Sequence, residues 1–172
     1  MTAVHQSGEA LAGAMAALRL WQGRSAESVP ALKAMDAGPQ PLATTVAVFL
    51  LRAGLVDEAG AYLDDHPATL VDESFVALLG WCMAGEAALG LGDAALGAAA
   101  YARAAPYAGL SCSAGSANAS GPVDAYLAHA AAAAGDMVAA RRHADRAAEL
   151  CGEWEIPLAG RWLAAQRERY GF

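Results

Sequence analysis

Few side chains in this sequence are spaced for catalysis or metal binding. Asp64, Asp65 and His66 form the densest cluster of ligand-type residues, but adjacent residues on a helix point about 100° apart and do not converge on one ion. His129 and His143 lie on separate predicted helices, and their spacing places no acidic or cysteine ligand on their faces. We therefore predict no metal site.

A second candidate is the segment that follows Gly109. Its residues Ser111, Cys112 and Ser113 suggest a nucleophile elbow, but that motif needs Gly-x-Ser-x-Gly between a strand and a helix. Here the segment follows a predicted helix and lacks the second glycine. We expect Cys112 in an exposed loop, with no histidine or arginine nearby in the sequence to activate its thiol. The sequence thus predicts no catalytic residue and no cofactor.

The charged residues are unevenly distributed. The chain has a formal net charge of −7, and residues 53–102 contain eight acidic residues but no Lys or Arg. Such a surface repels phosphate backbones, so direct nucleic-acid binding is not expected. We interpret the acidic stretch as a solvated face, with docking of a basic protein or peptide as the alternative.

Composition indicates the fold class. Much of the 56% hydrophobic content is alanine, and Ile156 is the single isoleucine in 172 residues. Alanine favours helices whereas sheets need β-branched residues, so an all-α fold is predicted. The length suits one domain, residues 1–172. Charged residues interrupt the apolar runs, so no membrane span is predicted, and without a secretory signal we expect a cytoplasmic location.

Apolar periodicity predicts a series of helices, with glycines between the members of each pair. The predicted helices span residues 8–21, 29–36, 41–52, 56–65, 72–90, 93–104, 122–134, 136–150 and 157–169. Gly23, Gly54, Gly92 and Gly135 separate paired helices, because glycine supplies the left-handed residue that ends a helix. Pro30 belongs in the first turn of the second helix.

The third helix pair resembles the tetratricopeptide repeat. Trp81, Gly85, Gly92, Tyr101 and Ala104 match the signature of an aromatic residue, a small residue, a turn glycine, a second aromatic residue and an alanine. The small residue Gly85 lets a partner helix approach. The fourth pair matches at Leu127, Ala128, Gly135, Asp136, Ala140 and Ala147, and the second at Ala47, Gly54, Ala59 and Leu63. The last helix is expected to cap the stack.

Residues 72–165 also resemble a more particular group of proteins. The order from Tyr101 through Pro106, a glycine-rich segment and Gly121-Pro122 to Asp124 is similar to the C-terminal tetratricopeptide-like region of actinobacterial signal-transduction ATPases and LuxR-type transcriptional regulators. The resemblance implies repeats that bind partners or effectors and control the ATPase without catalysis of their own. The sequence contains no phosphate-binding loop and no basic helix-turn-helix.

The repeat resemblance also implies a binding surface, the concave face lined by the first helix of each pair. The residues expected there are Thr44, Val48, Arg52, Cys82, Glu86, Leu89, Ala125 and His129. An isolated charge is seldom placed in such a groove without a partner. Arg52 and Glu86 are therefore expected to pair with each other, because neighbouring repeats bring their helices together. The alternative is that one of them contacts a ligand.

The sequence as a whole predicts a tetratricopeptide-like α-solenoid of about four helix pairs with a C-terminal capping helix. Its predicted role is non-catalytic: it binds a protein, peptide or effector in regulation. Two alternatives stay open, an enzyme or accessory protein with a small-molecule pocket inside the superhelix and self-assembly through a repeat interface. Residues 108–121 are expected to form a flexible linker, with a functional loop as the alternative.

Overall fold

The computed structural model describes residues 3–37, 41–70, 74–114 and 118–172. Within these ranges the chain is mostly helical, with one antiparallel hairpin. The helices are α1 (Ala3–Trp21), α2 (Val29–Asp36), α3 (Ala43–Arg52), α4 (Val56–Asp65), α5 (Ala77–Leu91), α6 (Ala94–Ala104), α7 (Val123–Ala133), α8 (Met137–Glu153) and α9 (Pro157–Tyr170). The hairpin strands are β1 (Ser111–Ala114) and β2 (Asn118–Pro122). Apart from this hairpin, the predicted helical class is confirmed.

Glycine and aspartate together build the turns between paired helices. The predicted turn glycines all have positive φ: Gly23 at 71°, Gly54 at 80°, Gly92 at 72° and Gly135 at 86°. Asp93 and Asp136 follow two of them, and each caps the next helix by accepting a hydrogen bond of 2.9 Å from a backbone N–H. The connections that follow α3, α5 and α7 are only two or three residues long, which makes those paired helices antiparallel, whereas residues 22–28, with a 3-10 helix at Ser25–Ser28, connect α1 to α2.

Helices α3, α5 and α7 pack side by side and form an inner layer. Most residues of α5 and α7 are buried, which fits their apolar sequences. Helices α4 and α6 follow members of this layer and bury a single face each. Gly85 lies where α5 meets α7, since a Cβ there would come within 3.0 Å of Ala130 Cβ and of the Tyr126 carbonyl oxygen. The predicted close approach at Gly85 is confirmed.

Helix α9 contacts both the first helix, α1, and the preceding helix, α8. Trp162 of α9 packs edge to face against Trp21 of α1, with ring centroids 5.8 Å apart. Helix α9 also packs on α8, and α1 contacts β2. Leu163 is buried, as expected for a covering helix. Helix α9 therefore covers the flank of the fourth helix pair, α7 and α8, and also contacts α1.

Residues 108–121 differ most from the sequence prediction. Their described part forms the hairpin in place of a flexible linker, while residues 115–117 lie outside the described residues. The strands pair at Ser111 with Pro122, Ser113 with Ala119, and Ala114 with Asn118. Cys112 is fully buried, so its expected exposure is wrong. The order of this segment comes from hydrogen bonds to α7, which its own sequence does not reveal.

Helix boundaries otherwise follow the sequence closely. Helices α2 and α4 begin and end where predicted, with Pro30 in the first turn of α2. Helix α1 begins earlier, at Ala3, and α5 begins later, at Ala77. The predicted start of α5 at residue 72 falls outside the described residues.

None of the helices in the described ranges has both the length and the apolar character needed to cross a bilayer.

Candidate functional site

A cavity of about 550 Å³ lies where the odd-numbered helices meet. Its walls are formed by the C-terminal ends of α1 and α3, by α5 and α7, and by one face of α9. The α9 face presents Leu158, Trp162, Gln166 and Arg169. We call this space the inner cavity.

Arg52 and Glu86 form an ion pair in the wall of the inner cavity. Arg52 Nε and Nη2 donate to the two carboxylate oxygens of Glu86, both at 2.7 Å. The Arg52 side chain is only 13% exposed and that of Glu86 8%. Burial opposes the charge on Arg52, but the Glu86 carboxylate outweighs it and raises the pKa of Arg52. The favoured sequence prediction, an internal pair, is confirmed.

His129 is fully buried in the same wall. Its Nδ1 lies 2.6 Å from the Ala125 carbonyl oxygen, and because a carbonyl only accepts, Nδ1 carries the proton. Nε2 is then an acceptor, and it has no hydrogen-bond partner among the described residues. The Gln166 side chain is near enough to His129 to favour its protonated ring, but it does not meet the geometry of a hydrogen bond to Nε2. Burial dominates and lowers the pKa of His129, although Glu86 opposes it.

Trp162 connects α9 to the ion pair and to His129. Its ring lies 4.4 Å from the Arg52 guanidinium and 5.1 Å from the His129 ring, to which it is nearly parallel. Trp21 approaches the same guanidinium to 5.4 Å from α1. The Trp162 Nε1–H is buried and has no acceptor within the described ranges. Aromatic rings from α1 and α9 thus enclose the ion pair, and such contacts stabilise a desolvated guanidinium.

The structure brings three of the predicted binding residues together and separates two. Arg52, Glu86 and His129 line the inner cavity. Thr44 instead lines a separate cavity of about 240 Å³ and donates a hydrogen bond of 3.1 Å to the Gly80 carbonyl oxygen. Cys82 lines neither of these two cavities, because it is buried beneath the hairpin. The five residues therefore do not line one cavity, and their assignment to a common binding face stays a prediction.

The hairpin covers part of the inner layer. Cys112 of β1 packs against Cys82 of α5, and both are fully buried. Burial, together with the contact with Cys112, raises the pKa of Cys82. From α7, the Tyr126 hydroxyl donates to the Ser120 carbonyl oxygen of β2 at 2.7 Å. These contacts attach both strands to the helices beneath them.

A chain of hydrogen bonds joins the base of the hairpin to α6, α7 and α8. One Asp124 oxygen accepts from His143 Nδ1 at 2.8 Å, and the other accepts from the Gly109 backbone N–H at 2.6 Å. The Tyr101 hydroxyl lies 3.0 Å from His143 Nε2. Burial opposes ionisation of Asp124, but its hydrogen bonds outweigh burial and lower the pKa. Spacing along α8 does not reveal this acid, because Asp124 comes from a different helix.

Of the acids in the predicted acidic stretch, residues 53–102, Glu86 lines the inner cavity, whereas those on α4 do not. The exposed acids on α4 include Asp57, Asp64 and Asp65. Glu58 on the same helix pairs with Lys33 of α2 at 2.9 Å. No group of three or more His, Cys, Asp or Glu side chains in the described ranges is arranged to hold a metal ion.

The residues of the predicted repeat signature occupy packed positions. Trp81, Ala104, Leu127, Ala140 and Ala147 are all buried. This burial fits paired helices, and the assignment to the tetratricopeptide repeat stays a prediction.

The sequence interpretation missed the arginines of α9 that line the inner cavity, Arg161 and Arg169. The signal available was the four-residue spacing of Leu158, Trp162 and Gln166, which places them on one helix face. That spacing predicts a buried face, but only the tertiary structure shows a cavity beneath it.

Comparison of the chain with models of protein families, with characterised proteins and with solved structures finds no match. Its functional interpretation therefore depends on the geometry of the inner cavity.

Proposed function

We propose that this chain is a non-catalytic regulatory module that binds a small effector molecule in the inner cavity. The observation that carries the proposal is a cavity of about 550 Å³ whose walls combine an ion pair, a buried histidine and aromatic rings. Ligand sites typically have volumes of about 300–1,000 Å³, apolar walls and a few placed polar groups.

The lining favours binding over catalysis. Both Glu86 oxygens are engaged by Arg52, so this carboxylate is not free to act as a general base. Of the described residues around the cavity, none is a serine, cysteine or lysine that would act as a nucleophile. His129 and the α9 arginines are suited to orienting a ligand.

A regulatory role is supported by the helices that form the walls of the inner cavity. Trp21 and Trp162 belong to the first and last described helices and meet at the cavity. A ligand that contacts both stabilises the arrangement in which α1 and α9 are together, by its differential affinity for that arrangement. The proposal keeps, as predictions, the tetratricopeptide-like interpretation and the resemblance of residues 72–165 to actinobacterial regulators.

A neutral fluorescent probe, N-phenyl-1-naphthylamine, tests whether the inner cavity admits a ligand. We expect saturable binding of about one molecule per chain. Leu158→Trp adds bulk to a cavity-lining residue that is 49% exposed, and it should abolish this binding. Val138→Trp is the matched control, because Val138 is 77% exposed on α8 and does not line the cavity.

Equal binding by the two tryptophan variants would show that the probe binds elsewhere and would overturn the proposal. Absence of binding to the unmodified protein would overturn it as well. Circular dichroism of all three proteins ensures that they are compared in the folded state.

Self-association is a second candidate function, and one surface favours it. Leu11, Met15 and Leu18 of α1 are spaced four and three residues apart and are 65%, 38% and 50% exposed. Such a stripe on one helix face is typical of an interaction surface. Light scattering after gel filtration should show a dimer that Leu11→Lys converts to a monomer. A monomeric unmodified protein would exclude this candidate.

A further inference from the structure

The charge of the inner cavity is opposite to that of the chain. The chain has a net charge of −7, yet the cavity wall contains Arg52, Arg161 and Arg169 against the single carboxylate of Glu86. That carboxylate is neutralised by Arg52 at 2.7 Å. Neither Arg161 nor Arg169 forms an ion pair with any described residue. The lining therefore has two positive charges in excess, and both belong to exposed side chains that attract an anion toward the cavity.

The apolar part of the cavity is flat and aromatic. Trp162 and Trp21 meet edge to face with ring centroids 5.8 Å apart, and Tyr170 of α9 also lines the wall. The Arg169 guanidinium lies 5.0 Å from the Tyr170 ring. Aromatic walls favour a ligand with a planar apolar body, because ring pairs are stabilised in stacked or edge-to-face contact.

Two buried polar atoms of the cavity-lining residues lack partners within the described ranges. They are His129 Nε2, an acceptor in the neutral ring, and Trp162 Nε1, a donor. A buried polar atom without a hydrogen bond is destabilising, so such atoms in a wall indicate a missing partner. An oxygen acceptor satisfies Trp162, and a hydroxyl or amine donor satisfies His129, so a carboxylate held by the arginines leaves these two atoms to other substituents of the ligand.

We propose that the inner cavity binds an aromatic carboxylic acid, with the ring against Trp21 and Trp162 and the carboxylate at Arg161 and Arg169. This inference rests on the proposed function and specifies the class of effector. Arginine is suited to the role because its planar donors match the two oxygens of a carboxylate. The excess positive charge disfavours a basic ligand at the same place.

Calorimetric titration of the full chain with three matched probes tests this inference. The probes are 2-naphthoate, its uncharged amide 2-naphthamide, and the cation 2-naphthylmethylammonium. We expect the carboxylate to bind about tenfold more tightly than the amide, a ratio that corresponds to about 1.4 kcal/mol. The preference should shrink between about 50 mM and about 500 mM salt, because salt screens charges near the surface.

Two single variants distinguish binding at Arg161 from a general effect of removing one positive charge from the protein. Arg161→Gln should weaken 2-naphthoate binding about tenfold and leave 2-naphthamide binding unchanged. Arg142→Gln is the matched control, since it removes the same charge from an exposed residue of α8 that does not line the cavity. The control should bind 2-naphthoate as the unmodified protein does.

The outcomes distinguish this inference from the proposed function. Binding of the amide or the cation as tightly as the carboxylate would overturn the inference but leave the cavity as a ligand site. An equal effect of the two arginine variants would overturn the inference in the same way. If none of the three probes binds while N-phenyl-1-naphthylamine does, the carboxylate specificity is wrong and the proposed function stands.

Discussion

Truncation of either member of the Arg52–Glu86 pair should destabilise the fold strongly. Two charge-assisted hydrogen bonds of 2.7 Å join side chains that are 13% and 8% exposed. Arg52→Ala leaves the Glu86 carboxylate buried without its cation, and Glu86→Ala leaves the reverse. Removal of one partner from a buried pair typically costs about 3–5 kcal/mol.

The double variant should destabilise the fold by less than the sum of the single variants, because it leaves no unpaired charge. The expected coupling is about 2–3 kcal/mol, near the upper end for residues in direct contact. The contact between Arg52 and Trp162 at 4.4 Å is lost in both the single and the double variant, so it does not enter the coupling. The coupling therefore reports the ion pair.

Urea denaturation at neutral pH, followed by circular dichroism, gives the four free energies of unfolding. The exposed pair Arg146–Glu149, with side chains 43% and 63% exposed, is a matched control and should couple by less than about 0.5 kcal/mol. A coupling of Arg52 to Glu86 no larger than this control would refute the structural pair. If Arg52→Ala is too unstable to purify, Arg52→Gln with Glu86→Gln gives a milder cycle.

One alternative interpretation has a distinct signature. If Arg52→Ala and Glu86→Ala leave the stability unchanged but abolish binding of 2-naphthoate, the two residues serve the ligand and not the fold.

The remaining predictions concern packing, pH and the hairpin. Gly85→Ala should destabilise the protein by about 1–3 kcal/mol through overpacking against α7. Gly80→Ala in the same helix should stabilise it by up to about 1 kcal/mol, because a Cβ at Gly80 meets nothing within 4 Å. Equal urea midpoints for the two variants would contradict this prediction. Burial lowers the pKa of His129 from its ordinary value of 6.5, so below about pH 6.5 the unfolded chain binds a proton that the folded chain does not. The free energy of unfolding should therefore decrease as the pH is lowered below about 6.5, by at most about 1.4 kcal/mol per pH unit. His129→Gln should flatten that slope, and an unchanged slope would assign it to other groups. Asp124→Asn should weaken the hairpin anchor, so subtilisin should cleave within residues 108–121 sooner than in the unmodified protein. Equal cleavage rates would show that Asp124 does not hold the hairpin.

Features that depend on neighbouring residues along the chain were determined by the sequence itself. Alanine content predicts helix, and the turn glycines at Gly54 and Gly92 have the positive φ that their positions require. Pro30 marks the first turn of α2, and the small residue Gly85 marks a helix contact. The Arg52–Glu86 pair was also predicted, from the expectation that neighbouring helix pairs bring their first helices together, and α3 and α5 do pack side by side.

Other features depend on residues that are far apart in the sequence, and only the tertiary structure decided them. The segment 108–121 has few anchoring side chains of its own, and its order comes from bonds to Asp124 and Tyr126 of α7. His143 of α8 donates a hydrogen bond to Asp124 on another helix, α7. The inner cavity exists because α9 reaches α1, where Trp162 meets Trp21. Spacing along one helix predicts which face is buried, but the partner that covers it is set by how all the helices pack together.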